Sequence, residues 1–481
     1  MAPDDGSAFN HAFARAMENA RESFTCVDPL SVHAPERSAK HGISAAQWAA
    51  LLTFVSSLII AAVLAPALTA TLSACVFAAL IMLRVAAAFM PSIKADSEPC
   101  GALPTYSILC PVYREAAALP GLIAALDRLH YPRALLDVLI LVEADDAETR
   151  RVADAFAARR SWVRVVESPL DGPRTKPKAL NAGLAIARGD LLTVYDAEDR
   201  PHPDQLLTAV AAFQAGGAEL ACVQAPLRAY NGGERWVAGQ FALEYAVQFG
   251  LLLPLFVKLG WPILLGGTSN HFRTRTLKNV HGWDSYNVTE DADLGLRLAR
   301  QGSRVGLIAP PTFEEAPISL KAWRRQRTRW IKGHLMTWLV HMRRPSAMLR
   351  DLGWPRFIGA QLSLGGGLLS SFAHAPFLFG VLWLSLSGAD MQSALALALI
   401  GYGASLLCAM RVAATERQSR FLLRGVLAPF YWPLQSWAAF LALRELIRAP
   451  HVWAKTEHGL TSCCAPAIGD PLTNPLNIAA E

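Results

Sequence analysis

Long runs without a charged side chain limit what this chain can fold into. Residues 42–83, 357–389 and 391–410 contain no Asp, Glu, Lys or Arg. The first run can hold two helices of about 20 residues, the length that spans a bilayer. It predicts a transmembrane hairpin over 42–90 that turns near Pro66 and Thr69, because a buried hairpin of a soluble protein would not need so long an apolar run. The run starts too late for a cleavable signal peptide.

A third apolar segment, residues 425–443, contains two prolines, two tryptophans and a tyrosine. Such a segment either spans the bilayer or lies in its interface, where these aromatic side chains are favoured. Lys and Arg flank the apolar segments at 324–356, 411–424 and 444–455. The positive-inside rule places all three patches in the cytosol if 425–443 does not cross. The sequence therefore predicts a four-span protein of a bacterial-type inner (plasma) membrane.

Composition agrees with a membrane protein. Hydrophobic residues make up 53% of the chain and charged residues 17%, against about 25% charged in soluble domains. The net charge of +6 is clustered beside apolar segments, which favours a membrane surface and excludes nucleic acid as the expected partner. The eight cysteines show no CxxC spacing, so we interpret them as isolated reduced thiols.

Residues 104–345 have a different pattern, in which short β-rich runs alternate with helical segments. TYSILCPVY, DVLILVE, VRVVESP and DLLTVYDAED are the strand candidates, and PKALNAGLAIAR is one of the helices between them. Alternation of this kind predicts an α/β fold with a mostly parallel sheet covered by helices. Ligands of such sheets bind beyond the carboxyl ends of the strands.

Acidic residues follow two of these strands. The first cluster is Glu143, Asp145 and Asp146, and the second is Asp196, Glu198 and Asp199. Carboxylates at a strand end can share a hard divalent cation, which prefers oxygen ligands, and such a cation can neutralise a diphosphate. Either cluster alone would be read as a solvated acidic turn.

Basic residues occur in two further places. Arg174, Lys176 and Lys178 open a helix, where cations and exposed N–H groups suit phosphate, although an ordinary exposed turn looks the same. The segment VTEDADLGLRL precedes SLKAWRRQRTRWIKG, whose Gln326, Arg329 and Trp330 share one helical face. Arg suits phosphate and Trp offers a platform for a sugar or chain; a basic helix resting on anionic lipid is the alternative.

In this order, and between membrane segments, the motifs resemble the family 2 membrane glycosyltransferases, the group that includes cellulose synthase and hyaluronan synthase. The resemblance covers about residues 104–345 and implies a GT-A, Rossmann-like domain over 91–356. A cytosolic segment (1–41) and the hairpin precede this domain. Membrane or interfacial helices (357–443) and a cytosolic tail (444–481) follow it. The implied reaction is an inverting transfer from a UDP-sugar without a covalent intermediate.

The resemblance also implies roles for individual residues. Asp291 of the TED motif would be the catalytic base. The donor nucleotide would contact Pro111, Tyr113, Glu115, Glu143, Asp145, Lys176, Asp196 and Arg329. Mg²⁺ or Mn²⁺ would bind Asp196 and Glu198, with Asp199 as a rival ligand because the family more often has Asp in the second place. The acceptor would contact Gly267, Thr268, Ser269, Glu290, Gln326 and Trp330.

Near the end, WAKTEHG (453–459) resembles a gating-loop motif that some members of the family place over the nucleotide. Lys455 and Thr456 would then approach the diphosphate, and an interfacial aromatic anchor is the alternative interpretation. The leading hypothesis is a processive synthase that makes and exports a β-glucan or related exopolysaccharide, with secretion subunits as possible partners. A single transfer to a lipid acceptor, and a catalytically silent nucleotide-sensing subunit, are the alternatives.

Overall fold

The protein is described by a computed structural model that covers residues 28–93, 98–168, 172–388 and 390–453. Its helices up to the sheet domain are α1 (Pro29–His33), α2 (Ala45–Leu64) and α3 (Pro66–Ala88). Ser44 caps α2 through the Gln47 amide, and Gln47 completes a capping box. The predicted hairpin is present, and it turns at Ala65, where Pro66 starts α3. Thr69 lies inside α3, so its assignment to the turn was wrong.

The catalytic-domain candidate contains ten strands. They are β1 (Tyr106–Val112), β2 (Leu136–Glu143), β3 (Val163–Ser168), β4 (Leu191–Val194), β5 (Arg200–Pro201), β6 (Leu220–Gln224), β7 (Leu227–Ala229), β8 (Asn270–Arg273), β9 (Arg304–Leu307) and β10 (Thr312–Glu314). Seven strands form one sheet in the order β3-β2-β1-β4-β8-β6-β9, and β5-β10-β7 form a smaller one. β1 to β4 are parallel as predicted, whereas β8 runs antiparallel to both β4 and β6.

Helices cover both faces of the larger sheet. They are α4 (Leu119–Leu126), α5 (Ala147–Ala157), α6 (Lys176–Ile186), α7 (Gln205–Ala215), α8 (Trp236–Val247), α9 (Leu253–Lys258), α10 (Thr274–Asn279), α11 (Glu290–Arg300) and α12 (Leu320–His341). Successive residues of β1 enter opposite cores, with Leu109 on one side and Ile108 and Cys110 on the other. Burial on both faces explains why these strands are continuous apolar runs.

The segment from α8 to α9, joined by the π-helical turn Gln248–Leu252, was not predicted. Residues 236–258 are apolar enough to span a bilayer, but 61% of the most apolar window is buried inside the protein. The segment packs against α3 and the C-terminal membrane helices. It therefore joins the sheet domain to the long apolar helices.

The C-terminal helices are α13 (Pro345–Ala360), α14 (Gly366–Leu386), α15 (Gln392–Glu416), α16 (Arg420–Val426) and α17 (Ala428–Arg448), with a π-helical turn at Gln361–Gly365 before α14. Within the described ranges, five helical stretches are long and apolar enough to cross a membrane, or six if α16 and α17 count together. These two helices are bent by 64°, and the apolar segment 425–443 begins at the end of α16 and continues into α17.

Both ends of the α16–α17 pair contact the catalytic domain. The Gln240 side chain of α8 donates to the Arg424 carbonyl (3.0 Å), and His451, beyond α17, contacts the Tyr286 carbonyl (2.9 Å). Residues before α2 also dock on this domain, since Ser38 and Ala39 donate to the Asp284 carboxylate. The N-terminal segment is thus, from residue 28, part of the domain surface and not a separate extension.

Candidate active site

A cavity of about 630 Å³ opens at the carboxyl ends of β1, β2 and β4 and continues between the membrane helices. Strand order brings these ends together, because β1 pairs in parallel with both β2 and β4. Most of the predicted site residues line this one cavity: Pro111, Tyr113, Glu115, Glu143, Asp145, Lys176, Asp196, Glu198, Gly267, Thr268, Glu290, Asp291, Gln326, Arg329 and Trp330.

The part of the cavity beyond β2 holds the first acidic cluster. The carboxylate of Glu143 lies 3.6 Å from the buried ammonium of Lys178, and Asp145 forms a 2.8 Å ion pair with Arg174. Asp146 has another task, since it caps α5 by accepting from the Thr149 amide (3.2 Å). This part of the cavity therefore has both acidic and basic hydrogen-bonding groups in its wall.

Lys176 lies at the centre of the site, at the start of α6. Its ammonium group is 2.5 and 2.7 Å from the two carboxylate oxygens of Asp196 and donates to the Gly267 carbonyl at 2.7 Å. Burial opposes the charged ammonium, but the neighbouring Asp196 and Glu290 outweigh it and raise the pKa of Lys176. Lys176 is therefore a cation between Asp196, which follows β4, and Glu290, which belongs to the TED motif.

Gly267 lies in the loop that faces Asp291 and Lys176. A Cβ atom at this position would lie 3.5 Å from Asp291 Oδ2 and 3.9 Å from Lys176 Nζ. The loop that carries Gly267 is held by Gln224, whose side chain accepts from the Gly266 amide (2.8 Å) and donates to the Thr268 carbonyl (3.0 Å). The glycine-rich sequence GGTS thus presents backbone, without side-chain bulk, to the centre of the cavity.

The turn after β4 distinguishes the two candidates for the second metal ligand. Glu198 lines the cavity. Asp199 is fully buried below it, where it accepts from the Asp196 amide (2.7 Å) and the Thr268 hydroxyl. Burial, with Asp196 and Glu198 nearby, raises the pKa of Asp199 well above its usual range. Asp199 positions the turn, so its assignment as a rival ligand is corrected.

The donor set fits a cation that arrives with a diphosphate. Asp196 and Glu198 supply two carboxylates, and within the described ranges no group of three or more His, Cys, Asp or Glu side chains could hold a metal ion. Mg²⁺ commonly binds through one or two carboxylates and completes its shell with substrate phosphates and water. The site therefore suits a metal shared with substrate and lacks the ligands of a resident protein-only metal centre.

Glu290 and Asp291 begin α11 and face the cavity. Burial and the neighbouring Asp291 raise the pKa of Glu290 to about 8. Burial also raises the pKa of Asp291, although the Ala292 amide, Lys176 and Arg329 favour its charged form. Asp291 is thus an accessible carboxylate with increased basicity, the property expected of a general base.

Helix α12 supplies the opposite wall. Gln326 is buried and its Oε1 has no hydrogen-bond partner among the described residues, and the same holds for Nε of Arg329. The Arg329 guanidinium lies 4.6 Å from the ring centre of Trp453. Buried Lys332 holds the segment that carries Trp453, since its ammonium donates to the carbonyls of Ala449 and Val452 at 3.3 and 3.0 Å. The first residue of the WAKTEHG motif thus covers the cavity beside Arg329.

Trp330 lines the cavity beside Tyr245 and Arg327. Its ring is nearly parallel to that of Tyr245, with 6.2 Å between centres and 11° between planes, and the Arg327 guanidinium lies 4.8 Å from its centre. Arg327 is paired in turn with Glu244 at 2.5 Å. These contacts fix the Trp330 plane at the side of the cavity that faces the membrane helices.

Two site residues were missed by the sequence interpretation. Glu314 ends β10 and lines the cavity; burial and the neighbouring Glu198 raise its pKa to about 8. Glu244 lies on α8 and accepts from Arg327, Tyr431 and Gln435. The sequence could have indicated Glu314, because this acid ends the short strand before the helix that carries QxxRW. Glu244 carried no such signal, because its partners are distant in sequence.

Two other predicted site residues, Ser269 and Thr456, are not placed in the cavity by the structure. Ser269 does not line the cavity: it is fully buried, has a φ of +58°, and donates its hydroxyl to Thr312 at 2.6 Å, so its acceptor role is corrected. Its hydrogen bond instead ties the loop to β10. Thr456, with Lys455, lies outside the described residues.

The chain is similar to known glycosyltransferases in sequence. Residues 191–412 match a family model described as glycosyl transferase family group 2. A probable glycosyltransferase, YdaM, from Bacillus subtilis is 25% identical over 48% of this chain and 56% of its own length. A beta-monoglucosyldiacylglycerol synthase from Trichormus variabilis is 26% identical over 51% of this chain and 52% of its own length. The chain therefore spans about half the length of these relatives.

Among solved structures, a mannosyltransferase from Pyrobaculum calidifontis in complex with GDP-Man and Mn²⁺ superposes with a TM-score of 0.50. It is 18% identical and the match covers 78% of this chain and 97% of that one. The similarity confirms the predicted GT-A-like fold. The chain has a GT-A-like α/β fold flanked by apolar helices, and its residues 191–412 are similar to glycosyl transferase family group 2.

Proposed function

We propose that this protein transfers a hexose from a nucleoside diphosphate sugar to an acceptor delivered by the membrane. The observation that carries the proposal is the shared cavity. It contains Asp196, Arg329 and Asp291 at one end and continues past Trp330 between the membrane helices at the other. The polar end has the cations and carboxylates that a sugar diphosphate needs, and the other end is open to an amphipathic molecule.

In the proposed reaction Asp291 takes a proton from the acceptor hydroxyl, whose oxygen then attacks the anomeric carbon of the donor. The C–O bond to the diphosphate breaks with inversion, and its electron pair leaves with the nucleoside diphosphate. Arg329 and Lys176 are positioned to stabilise the developing charge, a form of electrostatic catalysis.

A divalent cation, Mg²⁺ or Mn²⁺, would be held by Asp196 and Glu198 and would neutralise the diphosphate. Lys176 now contacts both oxygens of Asp196, so it has to release at least one of them when a cation is shared. The mannosyltransferase from Pyrobaculum calidifontis is described in complex with Mn²⁺ and GDP-Man, which supports a metal here. Because that donor carries GDP, both UDP- and GDP-sugars belong in the test, although UDP was the prediction.

Single transfer to a lipid is the function we favour for this cavity. Its volume of about 630 Å³ is that of a pocket for a small ligand, about 300–1,000 Å³. The relatives named beta-monoglucosyldiacylglycerol synthase support the same choice. The processive synthesis and export of a polysaccharide is the second candidate, favoured by the QxxRW face of α12 and by apolar helices on both sides of the domain.

The proposal is tested with the full chain in lipid nanodiscs. We expect release of UDP or GDP from one sugar in a panel, loss of release in excess chelator, and recovery with Mg²⁺ or Mn²⁺. Matched variants are Asp196→Asn, which should lose the release, and the exposed Asp154→Asn, which should keep it. Absence of release from every donor, or full activity in excess chelator, would contradict the proposal or its metal requirement respectively.

A further inference from the structure

The membrane end of the cavity has its own charged residue, Arg84. The residue lies on α3, four positions before the helix ends, which corresponds to about 6 Å along the helix axis. It lines the cavity together with Ser371, His374 and Trp432. If the catalytic domain is cytosolic, Arg84 lies at the depth of the lipid head groups of the inner leaflet and not at the bilayer centre.

The contacts of Arg84 leave its charge without a carboxylate partner. Within the described ranges Arg84 forms no ion pair with an Asp or Glu side chain at 4.0 Å or less. Its guanidinium carbon lies 4.4 Å from the ring centre of Trp432. Stacking on a ring uses the face of the planar guanidinium, and the N–H donors remain at its edge.

The nearest acidic side chain is already neutralised. Glu244 accepts from Arg327 at 2.5 Å, from the Tyr431 hydroxyl at 2.6 Å and from Gln435 at 2.9 Å. Arg327 therefore balances Glu244, and Arg84 adds a second cation. Burying a charge inside a protein is costly unless a partner of opposite charge or a ligand compensates it.

The walls around Arg84 suit an amphipathic ligand. Leu243, Leu252 and Leu368 are apolar, while Ser371 and His374 are polar. Two π-helical turns, Gln248–Leu252 and Gln361–Gly365, contribute lining residues. Such turns are rare and occur frequently at functional sites.

We infer that Arg84 binds a phosphate group in the head group of the lipid acceptor, so that the acceptor is an anionic lipid and not a neutral diacylglycerol. This inference rests on the proposed transfer to a membrane acceptor and names its chemical class. Arg binds phosphate through its planar set of N–H donors, and Trp432 fixes that plane. The apolar walls take the adjoining part of the lipid, while a free hydroxyl of the head group reaches Asp291 past Trp330.

The test measures binding of short-chain lipids to the full chain in detergent. The probes are dioctanoyl phosphatidylglycerol, which has a phosphate and free hydroxyls, and dioctanoylglycerol, which has a hydroxyl only. We expect the phosphate lipid to bind at least about tenfold tighter, as one charge-assisted contact allows. Arg84→Gln should remove this preference, and Arg84→Lys, which keeps the charge but not the planar donors, should keep part of it.

The matched control is Arg444→Gln, an exposed arginine on α17 outside the cavity, which should bind both lipids as the parent does. Inorganic phosphate at millimolar concentration should not displace the phosphate lipid; displacement would identify a free-phosphate site and overturn the inference. Equal binding of the two lipids by the parent chain, or an unchanged preference in Arg84→Gln, would also overturn it. If Arg84→Gln does not fold, the parent chain and Arg84→Lys still decide.

Transfer of labelled sugar in the same preparation separates this inference from the proposed function. Preferential glycosylation of the phosphate lipid supports both. If dioctanoylglycerol is the better acceptor, the inference fails and the proposed function stands. If no donor is consumed at all, the proposed function fails, and the binding measurement alone decides whether Arg84 recognises lipid phosphate.

Discussion

At the residue scale, two adjacent carboxylates at the start of α11 face the same cavity, and the proposed reaction needs one of them as the base. Burial raises the pKa of both, and that of Glu290 reaches about 8. At neutral pH Glu290 is therefore mostly protonated, whereas Asp291 is supported as an anion by the Ala292 amide, Lys176 and Arg329. The same environment thus separates the roles of the two residues.

Asp291→Asn keeps the size of the side chain and removes its ability to accept a proton. We expect turnover to fall about 10²–10⁴-fold, the usual contribution of a general base. Donor affinity should change little, because Arg329, Lys176 and the metal ligands remain. Calorimetry with the donor, followed by product formation, measures the two effects. Loss of donor binding with Asp291→Asn would instead make Asp291 a donor ligand.

Glu314 gives a prediction about stability and pH. Its carboxyl group titrates near its ordinary value of 4.5 in the unfolded chain, and burial raises the pKa in the folded chain to about 8. Stability conferred by the protonated form is therefore complete below about pH 4.5 and is lost as the pH rises to about 8. Glu314→Gln removes this titration.

Thermal unfolding between pH 5 and 8.5 tests the prediction. The melting temperature of Glu314→Gln should rise relative to that of the parent as the pH increases, in preparations without nucleotide or metal. The control is Glu219→Gln, an exposed carboxylate on the far side of the domain, which should follow the parent. A constant difference between Glu314→Gln and the parent across this range would show that Glu314 does not titrate as described.

Several residues that the sequence proposed line the cavity in the structure, and they are those that follow directly from a strand end or a helical face. Asp196 and Glu198 were found because they follow β4, and Arg329 and Trp330 because they share a face of α12. Asp199 could not be separated from Glu198 by sequence, since only the direction of the side chain shows that it lies below the turn. The position of Arg84 could not be predicted for a similar reason. A single Arg at the end of an apolar run indicates only the orientation of the helix in the membrane, whereas its place in a cavity depends on the packing of four helices.

At the element scale, α12 places donor and acceptor contacts on one helical face. Arg329 lies beside Trp453 at the polar end of the cavity, and Trp330 packs on Tyr245 towards the membrane. This arrangement predicts that the two functions can be separated by substitutions at neighbouring positions. It also explains why an uninterrupted helix is needed here.

Trp330→Ala should impair transfer to the acceptor more than hydrolysis of the donor, because the platform is lost while Arg329 and the carboxylates remain. The measurement is the ratio of glycosylated product to free sugar, together with donor affinity. Trp354→Ala, which removes a tryptophan 65% exposed on α13, is the control and should leave the ratio unchanged. An equal loss of transfer and hydrolysis would place Trp330 at the donor.

The membrane helices also give a topological prediction. Both ends of the α16–α17 pair contact the catalytic domain, so we expect positions 418 and 448 to lie on the cytosolic side. Single cysteines at these positions, in a background that lacks the accessible native cysteines, should resist an impermeant reagent in intact cells. A cysteine at Ser387, at the end of α14, should react. Labelling of position 448 from outside would contradict the four-span arrangement.

The sequence predicted the hairpin α2–α3 closely, since its length and lack of charge allow few alternatives. It failed for residues 236–258, whose apolar pattern was absorbed into the soluble block. That segment is apolar because α8 and α9 pack between the catalytic domain and α3, so its partners come from both regions. Residues 425–443 were predicted as one segment, whereas the 64° bend between α16 and α17 follows from contacts at both ends.

At the scale of the whole molecule, the catalytic domain is held to the membrane region from several directions. The N-terminal segment docks through Asp284, α8 packs against α3 and the C-terminal helices, and Lys332 holds the chain beyond α17. Because these contacts lie around the cavity, they fix the position of its polar end relative to its membrane end. We therefore propose that a single cavity brings a nucleotide sugar and a membrane lipid together for one transfer.

The most direct measurement of this claim follows the labelled sugar itself. The full chain in nanodiscs that contain anionic phospholipid is given the labelled donor and a divalent cation, and the products are separated by organic extraction. We predict that the label enters the organic phase as a lipid with one added hexose, and that Asp291→Asn does not form this product. Label found in a long polymer, or only as free sugar with every lipid, would contradict the account.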